Sequence, residues 1–269
     1  MIKYLKTIEK CIVLFILCSF ILCGCTNDKE NEAYDSMKKE MENKKSMNIC
    51  VISATETDEE LMSYSVGASG IVIGKDQYGY YALTAAHVVD KEKTKFLVRT
   101  VYDPDKEEYR KEHNLRITSQ EYYDALAEAQ VVYTDQKEDL AIVHFNSEEE
   151  LSVAEISQEN PSKNDLVIAV GTYADKMEYF YESTGKIKSD KLQSFVTDDK
   201  FGESQVIRHS AFTAEGFSGC GVYNSEMQLV GMNIGGSTNI FGGFKYSVMI
   251  PCQQILKCIE ESNLQQFCQ

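Results

Sequence analysis

Three side chains in this sequence are of the types that together turn a hydroxyl into a nucleophile. Ser218 sits in Gly216-Phe217-Ser218-Gly219-Cys220-Gly221, where the glycines suit a tight turn that exposes a hydroxyl. His87 closes Leu83-Thr84-Ala85-Ala86-His87-Val88-Val89 after an apolar run, and Asp139 opens Asp139-Leu140-Ala141-Ile142-Val143. A serine hydroxyl attacks poorly at neutral pH unless a base lies within hydrogen-bond reach and a third group fixes that base's tautomer. His87, Asp139 and Ser218 supply base, orienter and nucleophile for acyl transfer, in the chain order His, Asp, Ser. The backbone amides of Gly216 and Ser218 can converge on the oxygen of a tetrahedral intermediate, which makes them the expected oxyanion donors. Each residue alone has a plain structural explanation, as a core histidine, a turn aspartate or a turn serine; their joint occurrence in order carries the reading. His113, His144 and His209 need only structural roles.

Positioning these groups falls to short apolar, β-branched and aromatic runs separated by Gly, Asn and Asp, the pattern of an all-β chain. The expected strands are Ile49–Ser53, Ser65–Ile73, Tyr80–Leu83, Phe96–Tyr102, Ala129–Thr134 and Leu140–Phe145. A second group comprises Leu166–Thr172, Glu178–Ile187, Leu192–Thr197, Gln205–Phe212, Gly221–Tyr223, Leu229–Ile234 and Phe244–Ile250. Two such groups predict two packed six-stranded antiparallel barrels, about 49–155 and about 160–250, within one domain over 49–265. The charged stretch 107–128 reads as a partly helical insertion between two strands of the first barrel. After Pro251, a favourable helix start, Ile255, Leu256, Ile259 and Leu264 recur at helical spacing and predict a closing helix over about 251–263.

The N-terminus reads as an export leader. Lys3, Lys6 and Lys10 precede an apolar run from Cys11 to Cys23, too short for a membrane span and ending at Leu22-Cys23-Gly24-Cys25. That ending resembles the lipobox of bacterial lipoproteins, which implies removal of 1–24, a lipid anchor on Cys25 and a location on the extracytoplasmic face of the cell membrane. Residues 25–48, rich in Lys, Glu, Asn and Asp, read as a solvated tether, with a short charged helix as the competing form. The net charge is −15 and falls further once the leader's lysines leave, which argues against nucleic acid as a partner. Of nine cysteines, Cys50, Cys220, Cys252, Cys258 and Cys268 remain in the folded part, without metal-site spacing. No metal or other cofactor is expected.

Ala68-Ser69-Gly70-Ile71-Val72-Ile73, Leu83-Thr84-Ala85-Ala86-His87, Asp139-Leu140-Ala141 and Gly216-Phe217-Ser218-Gly219 together resemble the trypsin-like serine endopeptidases. Leu229-Val230-Gly231-Met232-Asn233 and Tyr246-Ser247-Val248-Met249-Ile250-Pro251 are most similar to the bacterial HtrA/DegP-type branch. The resemblance covers roughly 65–262. It implies a chymotrypsin-like double barrel with the site in the cleft between barrels, acting on proteins or peptides. It further implies a primary pocket near Phe212, Ile234, Gly235 and Gly236, and addition of the substrate backbone along the Met232–Gly236 edge. Phe212 would shorten the pocket toward small or medium apolar side chains, and no acidic residue is placed to select Arg or Lys. Phe217 stands where digestive proteases carry an Asp that pairs with a newly cut N-terminus, so that activation route is unavailable. No PDZ-like segment is expected after the terminal helix, so any homo-oligomer would form through other surfaces. The alternative of a different class is a catalytically weak protease-fold binding or sensor module. An esterase-like hydrolase fits less well, because His87 precedes the nucleophile and Cys220 breaks the G-x-S-x-G spacing.

Overall fold

Alternating and continuous β-branched runs pair into two sheets in the computed structural model, which describes residues 28–57, 61–197 and 200–268. The first sheet contains β1 (Asn48–Glu56), β2 (Met62–Tyr64), β3 (Ala68–Lys75), β4 (Tyr80–Ala85), β5 (Thr94–Arg99), β6 (Ala127–Asp135) and β7 (Leu140–Phe145). Its order is β2-β1-β3-β4-β7-β6-β5, and β5 pairs back onto β1 from Cys50 opposite Arg99 to Thr55 opposite Thr94. Six strands thereby close a ring, and β2 continues one end of β1 as a short flap. The second sheet is a closed barrel in the order β10-β13-β12-β11-β8-β9. Its strands are β8 (Leu166–Tyr173), β9 (Glu178–Phe195), β10 (Ser204–His209), β11 (Gly221–Tyr223), β12 (Leu229–Thr238) and β13 (Phe244–Pro251).

Both sheets are antiparallel, and their core-facing strands are largely apolar. All six residues of β4 are buried, as are six of the eight in β3, because each strand has packing on both faces. One apolar core runs through both barrels, from Ile71, Leu83 and Ile142 to Ile168, Met232 and Ile250. Tyr223 crosses the junction and donates its hydroxyl hydrogen to Asn48 Oδ1 at 2.7 Å.

Three expectations change. Residues 28–44 form a helix, α1, and not a solvated tether: Met37 and Met41 are buried in the core, and Tyr34 donates to Gly185 O at 3.0 Å. Glu30 pairs with Lys186. The separate strands expected over 178–187 and 192–197 are one strand, β9, whose first half pairs with β8 and whose second half pairs with β10. Register shifts near Arg208 absorb the polar stretch Lys188–Lys191, so its charges reach solvent without ending the ladder. The strand expected to run to Phe212 stops at His209, where the chain leaves the barrel for the Ser218 loop.

The remaining helices follow their sequence signals. The insertion between β5 and β6 holds two helices, Lys106–Glu112 and Ser119–Asp124, opened by capping boxes at Asp105 with Glu108 and at Thr118 with Glu121. Tyr122 and Leu126 bury against Cys50, Ile52 and Leu97 in a satellite core. The closing helix, Cys252–Glu261, follows Pro251 and buries Cys252, Ile255, Cys258 and Ile259. A one-turn helix over Ala86–Val89, between β4 and β5, carries His87.

Candidate active site

Strand register brings the first two residues together. β4 and β7 are neighbours, with Ala85 opposite Leu140, so the residues just beyond that pair meet at the barrel rim. Ala86 N donates to Asp139 O at 3.2 Å, His87 N to Asp139 Oδ1 at 2.9 Å, and His87 Nδ1 lies 2.8 Å from Asp139 Oδ2. Thr197, just past β9, adds a hydroxyl bond to Oδ2 at 2.8 Å. The Asp139 side chain is 0% exposed and that of His87 is 21% exposed. An ionised carboxylate can only accept, so with this partner Nδ1 carries the hydrogen and Nε2 keeps its lone pair. Asp139 holds φ of +58°, a left-handed conformation that Asp tolerates better than most residues, and this turns its side chain back onto His87.

Ser218 lies in the loop between β10 and β11, and the backbone there is fixed one carbonyl at a time. Glu215 O accepts from Ala174 N at 3.0 Å and Gly216 O from Ser69 Oγ at 2.7 Å. Phe217 O accepts from Cys220 N at 3.0 Å and Asn233 Nδ2 at 3.3 Å, and Ser218 O from Ser69 N at 2.9 Å. The amides of Gly216 and Ser218, by contrast, donate to nothing among the described residues. Gly216 and Gly219 hold φ of +93° and +85°. A Cβ on Gly219 would also sit 2.1 Å from Ser69 O, so glycine is required there on two counts.

The loop's side-chain anchor is Phe217. It is fully buried among Val167, Ala169, Ile187 and Ile207, with the rings of Tyr173 and Tyr181 edge-on at 6.2 and 6.1 Å. Cys220, also buried, is held in its thiol form because burial raises its pKa.

A chain of bonds through β3 connects the Ser218 loop to the strand that leads to His87: Ser69, near the start of β3, donates its N–H to Ser218 O, while Thr84 on β4, three residues before His87, donates to Ser69 O at 2.7 Å. Among the described residues Ser218 Oγ forms no hydrogen bond with His87. Such a link is commonly long before substrate binds and tightens in the complex.

A cavity of about 440 Å³ opens beside Ser218. Tyr173, Phe212 and Phe244 form its aromatic walls, with Phe212 5.4 Å from Tyr173 and 5.3 Å from Phe244 between ring centres. Gly235 and Gly236 line it too. Met232 and Ile234 do not: they are buried in the core, and the alternation of β12 turns Asn233 toward the site between them. Thr213, on the cavity wall, bonds the buried Ser247 Oγ at 2.7 Å, and the exposed Asp175 also lines the cavity. Ser69 and Asn233 stand in motifs that carry the family resemblance, but sequence reasoning gives neither them nor Thr197 a role, because each acts through a partner it meets only across the fold. Cys25, the expected lipid anchor, lies outside the described residues.

A family model described as "Trypsin-like peptidase domain" matches residues 68–232, a span that contains His87, Asp139 and Ser218. The crystal structure of Rv3671c from Mycobacterium tuberculosis H37Rv, a serine-to-alanine mutant in an inactive form, superposes with a TM-score of 0.57. It is 15% identical, and the match covers 84% of this chain and 91% of that one; at this identity the likeness establishes a chymotrypsin-like fold. No curated protein sequence matches the chain.

Proposed function

The chain belongs to the trypsin-like peptidase family, and from that premise we propose that it is a serine endopeptidase working through His87, Asp139 and Ser218. The observation that carries this is the fully buried Asp139 carboxylate, which takes the backbone N–H of His87 on one oxygen and its ring Nδ1 on the other. Burying a carboxylate is costly unless its oxygens are bonded, and here they are spent on fixing one imidazole. That arrangement leaves Nε2 as the base for Ser218.

In this reading Ser218 Oγ attacks the scissile carbonyl carbon while His87 Nε2 takes its proton. The carbonyl oxygen, now anionic, falls between the free amides of Gly216 and Ser218. Collapse of the intermediate breaks the C–N bond, with His87 returning the proton to the leaving amine. Water then repeats the sequence on the acyl-enzyme, and Asp139 stabilises the imidazolium that forms in each half. The substrate backbone adds along the 234–236 stretch of β12, whose bonds run only to β13. Aromatic walls with hydroxyls behind them suit an uncharged P1 side chain of small to medium size.

The lipobox-like Leu22-Cys23-Gly24-Cys25 supports anchoring to the extracytoplasmic face of a bacterial membrane, and the Leu229–Asn233 and Tyr246–Pro251 motifs support an HtrA/DegP-type affiliation. With α1 docked from residue 28, such an anchor would hold the barrels close to the bilayer. The test is digestion of a denatured protein by the full chain, with Ser218→Ala as control and mass spectrometry of the products. Cleavage after uncharged residues that vanishes in the variant is expected. Intact substrate with a folded wild type would favour the binding-module alternative.

A further inference from the structure

Ser69 makes four hydrogen bonds at 1% exposure, and two of them hold the Ser218 loop. Its N–H donates to Ser218 O, and its carbonyl accepts from Thr84 Oγ1. Its hydroxyl accepts from Thr172 N at 2.8 Å, which leaves its own hydrogen to donate to Gly216 O at 2.7 Å. One side chain of the first barrel thus joins a strand of the second barrel to the loop that carries the nucleophile. Gly171 makes room for it, since a Cβ there would lie 2.9 Å from Ser69 Oγ.

The bond to Gly216 O has a specific geometric consequence. In a trans peptide the C=O and N–H point in opposite directions, so holding a carbonyl aims the next amide. Ala174 N on Glu215 O aims the Gly216 amide, and the two donors on Phe217 O aim the Ser218 amide. The Gly216–Phe217 peptide lies between those two planes and sets their mutual angle. Its N–H donates to Ala214 O at 3.1 Å within the loop itself, its carbonyl takes the shorter bond from Ser69 Oγ outside the loop, and one flank of the plane is a glycine with few steric restraints of its own. We propose that Ser69 is a positioning residue for the oxyanion hole, its hydroxyl locking the central peptide plane so that the Gly216 and Ser218 amides converge on one oxygen.

This inference rests on the serine-peptidase reading, so its test first counts reactive Ser218 in the wild type by fluorophosphonate titration of the full chain. Peptide hydrolysis by Ser69→Ala, Ser69→Cys and Ser69→Thr is then measured per titrated site, together with inhibition by a peptide boronate, whose tetrahedral adduct places an oxygen in the oxyanion hole. Removing a whole oxyanion donor typically costs about 100-fold or more in kcat, so misaligning two is expected to cost about 10- to 100-fold in Ser69→Ala, with KM changed less than about threefold. Boronate inhibition should weaken by a similar factor. Cysteine keeps the side-chain volume, and hence the fold, but donates weakly, so its loss should follow the same direction. Threonine keeps the hydroxyl and should recover most of the rate.

A kcat per titrated site and a boronate affinity within about twofold of wild type in the Ala and Cys variants would overturn the proposal. So would equal losses in the Thr and Ala variants when both are folded, or a loss seen only as fewer titrated sites. A wild type with no titratable Ser218 overturns the peptidase reading itself and this inference with it.

Discussion

The two barrels contribute to the site by opposite means. The first supplies His87 and Asp139 from the ends of β4 and β7, paired strands whose register places the two residues side by side before any side chain is considered. The second supplies Ser218 and the candidate oxyanion donors from a loop with no ladder of its own, shaped by two positive-φ glycines and tied down carbonyl by carbonyl. The half with the His87–Asp139 pair is thus made by regular structure, and the half proposed to receive a developing charge is made by a loop fastened from outside. Much of that fastening comes from the other barrel, through Ser69, so the halves are separate in sequence and joined in mechanics. Phe217, buried among apolar and aromatic side chains, anchors the loop from its own side.

The sharpest way to break the first half is Asp139→Asn. Its amide would offer a donor to Nδ1 and favour the wrong tautomer, so kcat should fall by about 10⁴ with the fold retained, as checked by steady-state kinetics beside circular dichroism. A loss under tenfold would show that the pair is structural. The second half is broken instead by cavity formation: Phe217→Ala should cost about 3–5 kcal/mol of stability by chemical denaturation, and the loop should lose activity before the barrels melt. An unchanged midpoint would show that the aromatic anchor is dispensable.

Beneath that loop lies His209, fully buried beside the Asn233 carboxamide, with its pKa lowered to about 4 chiefly by burial. In the unfolded chain it takes a proton near 6.5, whereas in the folded chain it does so only near 4. The stability contributed by the neutral ring is therefore complete above pH 6.5 and is lost as the pH falls toward about 4. Denaturation midpoints should show His209→Gln losing less stability than wild type across that window, by on the order of 2–3 kcal/mol. Parallel pH profiles would contradict the burial argument. The smallest effect is expected from Thr197→Val, which removes one of the hydrogen bonds on Asp139 and should lower kcat by only about 5- to 10-fold, because His87 still holds both carboxylate oxygens.

The same division explains what sequence reading can reach. His87, Asp139 and Ser218 stand in local motifs whose residue types suffice to suggest their chemistry, and β7 and β11 have the bounds that their apolar and aromatic residues mark in the sequence. Ser69 and Asn233 fall within motifs, yet nothing local gives Ser69, Thr197 or Asn233 its role, since what matters is the partner each meets across the fold. Met232 and Ile234 were expected at the cleft because the strand is right, but alternation alone does not say which face looks at Ser218. In α1, Tyr34, Met37 and Met41 sit three and four residues apart, a narrow stripe hidden by the lysines and glutamates around it, and only the packed structure shows that it is buried.

The central claim is that His87 and Asp139 activate Ser218. Labelling of the full chain with a fluorophosphonate probe, read by intact mass, tests it with Ser218→Ala and His87→Ala alongside. The account predicts one adduct per chain in the wild type and none in either variant on the same time scale. A folded wild type that stays unlabelled, or labelling that survives Ser218→Ala, would contradict it.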